Sequence, residues 1–226
     1  LTLAATKGLK WIDATCPLVT KVHKEAVRFS NEGIDVLLIG HKGHEEVVGN
    51  AGHVNPDRLH IVQTPMDIDR LTIPPNKKVA FITQTTLSVD DTRELILKLR
   101  ARFPRLTGPD KDNICYATQN RQDAITELAQ LAEVIIICGS ANSSNSNRLR
   151  EKGEQLGRPS YIIDTVGDLN YGWFKGKTRI GISSGASVPR AIVDEVVETL
   201  KARFPGSSVR TFEDPEKDIV FPLPSI

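Results

Sequence analysis

The sequence predicts an α/β protein made of two repeated domains with mostly parallel sheets. Two observations lead to this fold class. Short runs of apolar, β-branched residues alternate with amphipathic stretches along most of the 226 residues, and this alternation is typical of βαβ units. Several short motifs also recur about 100 residues apart, which indicates two related units of that length.

Strands are predicted where the apolar runs are continuous, because helices cover both faces of a parallel sheet. They lie at residues 11–15, 35–39, 59–63, 78–83, 133–138, 160–163 and 177–183. Amphipathic stretches predict the main helices at residues 18–31, 89–103, 119–131 and 189–204. No apolar run approaches the roughly 20 residues that a membrane-spanning helix needs.

The internal repeat is clearest at two cysteines. Asp-Ala-Thr-Cys ends at Cys16 and Asp-Asn-Ile-Cys ends at Cys115, 99 positions later. Each cysteine is followed by a helical stretch, an apolar strand and, 24 positions on, by Gly40 or Gly139. The repeat therefore puts Cys16 and Cys115 at equivalent helix starts, where ligands bind in open α/β sheets.

Two further pairs of segments extend the repeat, and a polar stretch at residues 109–113 marks its boundary. Leu-Ser-Val matches Ala-Ser-Val at an offset of 99, and Ala-Arg-Phe-Pro recurs at an offset of 101. These segments lie at residues 87–89 and 186–188, and at residues 101–104 and 202–205.

Cysteine count and charge narrow the classes of protein. Three cysteines is an odd number, so a reducing cytosol is a better prediction than a secreted disulfide framework. The net charge of +1 favours neither a nucleic-acid partner nor an anionic membrane. Because the sequence begins with Leu1 rather than Met, we expect a fragment or a processed product.

Small polar residues follow four of the predicted strands, and each of these loops leads into a helical stretch. Free N–H groups and the helix dipole at such points suit a phosphate group. A single loop of this kind is commonly a helix cap, as the capping-box pattern of Ser88 and Asp91 illustrates. Four loops at matched strand ends favour an anion site. They span residues 40–46, 83–88, 139–147 and 184–187.

One of these loops carries His41, His44 and Glu46. The spacing is not a standard zinc signature, and a solvated helix start is an equally good interpretation. A sharper hypothesis gives His44 to an anionic substrate and makes Glu46 a proton donor. The other histidines, His23, His53 and His60, are most simply surface residues. Cys138 lies inside an apolar run and is most simply a buried core residue.

The motifs, taken together, resemble the 4-hydroxy-3-methylbut-2-enyl diphosphate reductases. Asp-Ala-Thr-Cys-Pro-Leu-Val-Thr-Lys-Val-His resembles the family's central cysteine motif, and Ile-Cys-Tyr-Ala-Thr-Gln-Asn-Arg-Gln resembles its last one. Between and after them stand Gly-His-Lys-Gly-His-Glu-Glu, Thr-Gln-Thr-Thr-Leu-Ser-Val-Asp-Asp-Thr, Asn-Ser-Ser-Asn-Ser-Asn-Arg-Leu and Gly-Ala-Ser. These segments occupy residues 13–23, 114–122, 40–46, 83–92, 142–149 and 185–187. The resemblance covers the whole chain in order.

The resemblance implies a pseudo-threefold protein of three α/β lobes, with one cysteine per lobe holding a central [4Fe–4S] cluster. The cluster removes the substrate's hydroxyl as water with two electrons and two protons, giving isopentenyl diphosphate and dimethylallyl diphosphate. A ferredoxin or flavodoxin type of protein supplies the electrons. The compartment expected from the resemblance is the cytoplasm, or the plastid stroma in a plastid-bearing organism.

The resemblance also implies roles for particular residues. Cys16 and Cys115 become cluster ligands, Glu46 becomes the proton donor, and Thr85 relays the proton and orients the substrate alcohol. The diphosphate ligands are His44, Ser143, Ser144, Asn145 and Ser187.

The same resemblance implies parts that this sequence lacks. The family's first cysteine, in a Cys-Ala-Gly-type motif, and two further diphosphate histidines lie upstream of the matching region. We therefore expect residues 1–16 to be a remnant of the first lobe, 17–111 the second lobe and 112–205 the third. Residues 206–226 are expected to be a tail that returns to the first lobe. We expect this chain alone to be inactive or nearly so.

Two alternatives remain open at this stage. A quinolinate-synthase-like dehydratase shares the plan of three lobes with one cysteine each, although the long motifs argue against it. A phosphate-ester binding module without a cluster needs only the Ser, Thr and Asn loops.

Overall fold

The computed structural model describes residues 4, 6–10, 12–110, 112–212, 215 and 219. Within them the chain forms two separate parallel sheets. We call the surrounding units the N-terminal lobe, residues 17–107, and the C-terminal lobe, residues 116–203.

The N-terminal lobe has a four-stranded parallel sheet with strand order β2-β1-β3-β4. Its strands alternate with helices, as the sequence predicts. In chain order the elements are α1 (Pro17–Asn31), β1 (Asp35–Ile39), α2 (Glu45–Ala51), β2 (Leu59–Val62), α3 (Pro65–Arg70), β3 (Val79–Thr83), α4 (Val89–Arg102) and β4 (Leu106–Thr107).

The C-terminal lobe has a three-stranded parallel sheet with strand order β6-β5-β7. Two short 3-10 turns stand where the N-terminal lobe has α3. In chain order the elements are α5 (Tyr116–Leu131), β5 (Val134–Cys138), α6 (Ser144–Gln155), β6 (Ser160–Ile163), turns at Val166–Asp168 and Tyr171–Phe174, β7 (Ile180–Ser184) and α7 (Arg190–Arg203).

The strands at the centre of each sheet are buried at every position, which confirms sheets covered on both faces. β1, β3 and β5 consist of apolar residues with few exceptions and have no exposed position. On one face of the N-terminal sheet, Leu37 and Phe81 pack against Leu99 and Phe103 of α4 and its end. The other face packs against α1 and α2. Burial of this apolar surface is the main driving force for each lobe.

The two lobes repeat one another, with a change of offset partway along. α1 and α5, and β1 and β5, start 99 positions apart, whereas β2 and β6 start 101 positions apart. The change arises because α6 has 12 residues and α2 has seven, whereas the connection to the next strand has four residues after α6 and seven after α2. The recurrence of residues 101–104 at 202–205 is confirmed, since Phe103 and Phe204 both donate a backbone N–H to the residue four before.

The match of residues 87–89 with 186–188 is wrong as a structural equivalence. Ser88 is the N-cap of α4, and the N-cap of α7 is Pro189, which is 101 positions later. Ser88 accepts the N–H of Asp91 as the capping pattern predicts. Complete capping boxes, which the sequence analysis missed, stand at equivalent points of the two lobes. They pair Thr64 with Asp67 and Thr165 with Asp168.

Three predicted elements differ from the structure. Trp11 lies outside the described residues, and residues 12–15 form no strand but an exposed segment in which Asp13 accepts the N–H of Thr15. β7 begins at Ile180 rather than at residue 177, because the Glu133 carboxylate takes the N–H groups of Thr178 and Arg179. α5 begins three residues earlier than predicted.

The predicted tail is described only in part. Residues 206–211 are exposed and lie in no helix or strand, and residues 220–226 are outside the described residues. No helix among the described residues has the length and apolar character needed to cross a membrane.

Replacing Leu99 with Ala should lower the free energy of unfolding by about 2–5 kcal/mol, because the side chain is 0% exposed in the core. Leu97 on the same helix is 62% exposed, so Leu97→Ala should change it by less than about 0.5 kcal/mol. Urea denaturation of both variants measures the difference. Equal losses would contradict the packing described for α4.

Candidate functional site

The loops after β1 and β3 meet at the carboxyl edge of the N-terminal sheet. Gln84, the first residue after β3, donates its backbone N–H to the Ile39 carbonyl at 2.9 Å. Its side-chain Oε1 accepts the backbone N–H of His41 at 3.1 Å. Parallel pairing of β1 with β3 thus continues past the strands and brings the two polar loops together.

Glu46 and Thr85 form a two-bond contact across these loops. The Thr85 N–H donates to Glu46 Oε1 at 2.7 Å, and the Thr85 hydroxyl donates to Glu46 Oε2 at 3.0 Å. Thr85 is 4% exposed. Burial raises the pKa of Glu46, and the two hydrogen bonds from Thr85 oppose part of that rise. Glu46 therefore retains its proton to a higher pH than an exposed glutamate does.

His44 stands at the start of the same helix. It is the N-cap of α2, and its Nδ1 accepts the N–H of Glu46 at 3.2 Å. Burial lowers the pKa of His44, which favours the neutral ring. Since Nδ1 is the acceptor, the proton of the neutral ring lies on Nε2 and is free to be donated to a ligand. Burial likewise lowers the pKa of His41.

The start of α6 gathers polar groups at the equivalent edge of the C-terminal lobe. The helix begins at Ser144, so residues 144–147 form its first turn rather than a loop. Ser143 caps it by accepting the N–H of Ser146. Asn145 is 6% exposed, and neither atom of its amide has a hydrogen-bond partner among the described residues. Buried amides are normally paired, so Asn145 is suited to a ligand.

Glycine at position 185 lets the next loop approach this helix start. A Cβ at Gly185 would lie 2.5 Å from the Ser146 hydroxyl oxygen and 3.7 Å from Asn145 Nδ2. The turn after β7 therefore runs directly beside the first turn of α6. Ser187 belongs to this turn and is exposed.

Hydrogen bonds connect the two edges. Gln84 Nε2 donates to the hydroxyls of Thr86 and Ser144, at 2.9 and 3.3 Å. The Thr86 hydroxyl donates to Ser144 Oγ at 3.2 Å, and Ser144 donates to the Thr86 carbonyl at 3.3 Å. The Ser144 hydroxyl is thus occupied by a contact between lobes. Gln84 and Thr86 lay within a loop that the sequence singled out, but no local pattern indicated this contact.

The two cysteines of the repeat both stand at helix starts. Cys16 is the N-cap of α1 and is exposed. Cys115 is the N-cap of α5, and its sulfur accepts the N–H of Thr118 at 3.3 Å. Cys138 differs, because it is buried in β5 and burial raises the pKa of its thiol to about 11. None of the three forms a disulfide.

Among the described residues, no three His, Cys, Asp or Glu side chains are arranged to hold a metal ion. His41, His44 and Glu46 do not converge, since the Glu46 carboxylate turns to Thr85 and His44 Nδ1 to the backbone. The donor set at the two helix starts consists of the thiols of Cys16 and Cys115. Thiolates are the usual ligands of iron–sulfur clusters, commonly three or four to a cluster.

Comparison with known proteins identifies relatives over nearly the whole sequence. A model of the LytB protein family matches residues 1–201. A 4-hydroxy-3-methylbut-2-enyl diphosphate reductase of Aromatoleum aromaticum is 49% identical over 221 residues, covering 98% of this chain and 70% of the relative. One of Pseudomonas putida is 49% identical over 224 residues, covering 98% of this chain and 71% of the relative.

Solved structures give the same result. The E-1-hydroxy-2-methyl-but-2-enyl-4-diphosphate reductase of Plasmodium falciparum is 35% identical, with a TM-score of 0.85, over 95% of this chain and 70% of that one. A second solved structure is an (E)-4-hydroxy-3-methyl-but-2-enyl diphosphate reductase, described as the terminal enzyme of the non-mevalonate pathway. It is 34% identical with a TM-score of 0.57, and the match covers 89% of this chain and 71% of that one. The chain therefore belongs to the LytB protein family, whose relatives are named as 4-hydroxy-3-methylbut-2-enyl diphosphate reductases.

Proposed function

We propose that the chain carries the acid and most of the diphosphate site for reductive removal of the hydroxyl of 4-hydroxy-3-methylbut-2-enyl diphosphate. Each turnover consumes two electrons and two protons and releases water with either isopentenyl diphosphate or dimethylallyl diphosphate. The observation that carries the proposal is the contact of the half-buried Glu46 carboxyl with the buried Thr85. Thr85 stands between Gln84 and Thr86, which both contact the start of α6.

The proton is proposed to come from Glu46 by way of the Thr85 hydroxyl. Burial keeps the carboxyl protonated to a higher pH, which a proton donor needs. The Thr85 hydroxyl can accept a proton from the carboxyl while donating its own to the leaving oxygen of the substrate. Its position between carboxyl and substrate would also orient the alcohol.

The diphosphate is proposed to bind at the start of α6, with His44, Ser143, Ser144, Asn145 and Ser187 as ligands. The buried amide of Asn145 supports this assignment because it has no partner among the described residues. Neutral donors at a helix start bind phosphate through charge-assisted hydrogen bonds and the helix dipole. For Ser144 to donate to phosphate, it must first release the Thr86 carbonyl.

The proposed ligands of a [4Fe–4S] cluster are Cys16 and Cys115, because both are free and both begin a helix. A helix N-terminus favours a thiolate ligand. When bound, the cluster would supply the electrons and a Lewis-acidic iron for the hydroxyl oxygen. The buried thiol of Cys138 does not suit a third ligand, because its raised pKa disfavours thiolate.

The proposal extends to partner and location. A two-electron reduction through a cluster needs a donor of one-electron equivalents, and a ferredoxin or flavodoxin type of protein fits that chemistry. Three free cysteines suit a reducing compartment such as the cytoplasm or the plastid stroma.

A cluster-free phosphate-ester binding module is a second candidate, because the start of α6 would bind phosphate without any iron. It leaves the buried carboxyl of Glu46 and the two cysteine helix starts without a use. Iron and sulfide analysis after anaerobic reconstitution separates the two candidates, and Cys16→Ser or Cys115→Ser should abolish the cluster absorbance.

We expect the 226-residue chain alone to be inactive or nearly so, because it supplies two cluster cysteines in the proposed site. A hybrid that joins it to the part of the Aromatoleum aromaticum relative outside the match should gain iron and activity. The assay is anaerobic, with a reduced dye and the allylic diphosphate. Full activity of the chain alone would refute this prediction, and a quinolinate-synthase substrate serves as the control.

Replacing Glu46 with Gln in the active hybrid should lower the rate of reduction by roughly 10²–10⁴-fold, the usual contribution of a positioned acid. The amide can keep a hydrogen bond to Thr85 but cannot give up a proton at a useful rate. Glu45→Gln is the matched control, because Glu45 is the exposed neighbour on α2. Equal activity of the two variants would count against Glu46 as the acid.

The pH dependence of stability tests the state of Glu46 without any cluster. Since its pKa is raised in the folded chain, its protonated form contributes stability fully below the ordinary value of 4.5. That stability is lost as the pH rises through the folded pKa. Glu46→Gln should therefore gain stability relative to the unchanged chain as the pH rises, measured by urea denaturation, and a constant difference across this pH range would contradict a raised pKa.

Replacing Asn145 with Ala should weaken binding of inorganic pyrophosphate to this chain by about tenfold or more, the usual value of a hydrogen bond to a charged group. Asn142→Ala is the control, because Asn142 lies exposed in the preceding loop. Isothermal titration calorimetry measures both. Pyrophosphate bound equally well by both variants would argue against Asn145 as a ligand.

A further inference from the structure

The side chain of Asn113 hydrogen-bonds to two elements of the N-terminal lobe, strand β3 and helix α1. It lies between β4 and α5, two residues before Cys115. Its Oδ1 accepts the N–H of Thr83 at 2.9 Å, and its own N–H donates to the Thr83 hydroxyl at 2.9 Å. Thr83 is the last residue of β3 and is 0% exposed. This reciprocal pair therefore fastens residue 113 to a buried strand end.

The same segment continues alongside the residues that follow β3. Cys115 donates its backbone N–H to the Thr85 carbonyl at 3.2 Å. Between the two anchors, Ile114 packs against the core of the N-terminal lobe. Cys115 is thus held to the residue whose hydroxyl contacts Glu46.

The remaining amide hydrogens of Asn113 face the first helix. Asn113 Nδ2 donates to Glu25 Oε2 at 2.7 Å. Glu25 lies on α1, the helix that Cys16 begins. One side chain therefore connects the segment before Cys115 to the helix after Cys16, using its acceptor on one side and its donor on the other.

We propose that Asn113 is a positioning residue for the cysteine pair, whose amide fixes Cys115 against Thr85 and ties it through Glu25 to the helix begun by Cys16. The inference rests on the proposed function for its purpose, since a shared cluster needs its thiolates at fixed separation. The contacts themselves do not depend on a cluster, so they can be tested without one.

Asparagine is specifically required at this position because one end must accept and the other must donate. Aspartate could still accept from Thr83 but would set a second carboxylate against that of Glu25. Like charges at hydrogen-bond distance repel strongly in a partly buried site. Changing Glu25 to Gln at the same time would supply a donor for the new carboxylate and restore the contact.

The experiment measures amide hydrogen exchange by NMR in the cluster-free chain. Asn113→Asp loses the hydrogen bond to Glu25, and repulsion from the Glu25 carboxylate should draw residue 113 away from Thr83 and loosen the segment before Cys115. Exchange at Thr83 and Cys115 should therefore rise by about tenfold, the value of one lost hydrogen bond. The double variant with Asn113→Asp and Glu25→Gln should return both amides to within about threefold of the original rate, given typical coupling of neighbouring residues. Gly139, bonded to Ile163 in the other lobe, should not change.

Lys152→Met is the control for general loosening between the lobes. It removes the ion pair of Lys152 with Asp90, which also joins the lobes, and should leave the Cys115 amide unchanged. A similar rise in Cys115 exchange for Lys152→Met would overturn a specific role for Asn113. So would unchanged exchange at Thr83 and Cys115 in Asn113→Asp.

The outcome remains decisive if Asn113→Asp does not fold. Folding of the double variant would then support the proposal, because only the partner of the amide has changed. If neither folds, Asn113→Ala supplies the test, and unchanged exchange at Cys115 in that variant would overturn the proposal. Faster exchange at Cys115, with lower iron per chain in the reconstituted hybrid, would support it. If Cys115→Ser loses iron while Asn113→Asp exchanges at the original rate, the positioning role of Asn113 is refuted and the cluster assignment stands.

Discussion

Residues 83–86 comprise the last residue of the buried strand β3 and the three that follow it, and each of them hydrogen-bonds to a different part of the protein. Thr83 binds Asn113, Gln84 binds the loop after β1, Thr85 binds Glu46, and Thr86 binds the start of α6. The rest of the site depends on this short segment because each polar group it anchors comes from a different element. A buried strand end is a rigid origin for such contacts, since every position of β3 is packed on both faces.

The same segment contacts the carboxyl group whose pKa is raised. Glu46 is half-buried where it meets Thr85, and burial is the first cause of its raised pKa. The two Thr85 hydrogen bonds act in the opposite direction, because they favour the carboxylate. Burial and hydrogen bonding thus act on the pKa of Glu46 in opposite directions, and burial has the larger effect.

Much of this architecture could be predicted from the sequence. Continuous apolar runs indicated the central strands to within a residue, and the cysteine repeat indicated two related lobes with their helix starts. The offset between lobes could not be followed past α2, because helix length is set by packing rather than by a motif. Residues 12–15 are apolar enough in composition to suggest a strand, but the Asp13 carboxylate accepts the N–H of Thr15 and the segment turns there instead.

The contacts of Gln84 and Asn113 were beyond prediction for a different reason. Side-chain amides join whatever two groups lie within reach, and that depends on how helices, strands and loops are placed relative to one another, both within the N-terminal lobe and between the lobes. Local spacing carries no information about that placement. Strand positions alone predicted only that the loops carrying Glu46 and Thr85 lie near one another. The geometry of the Glu46–Thr85 contact depends on the parallel register of β1 and β3.

The helix starts of α2 and α6 occupy equivalent positions in the two lobes but carry different residues. Glu46 is the second residue of α2, and Asn145 is the second residue of α6, 99 positions later. In the proposed function, the residue in one lobe supplies the proton and its counterpart in the other lobe binds the diphosphate. Two lobes of one fold would thus provide different side chains for the two ends of an asymmetric substrate, the alcohol and the diphosphate.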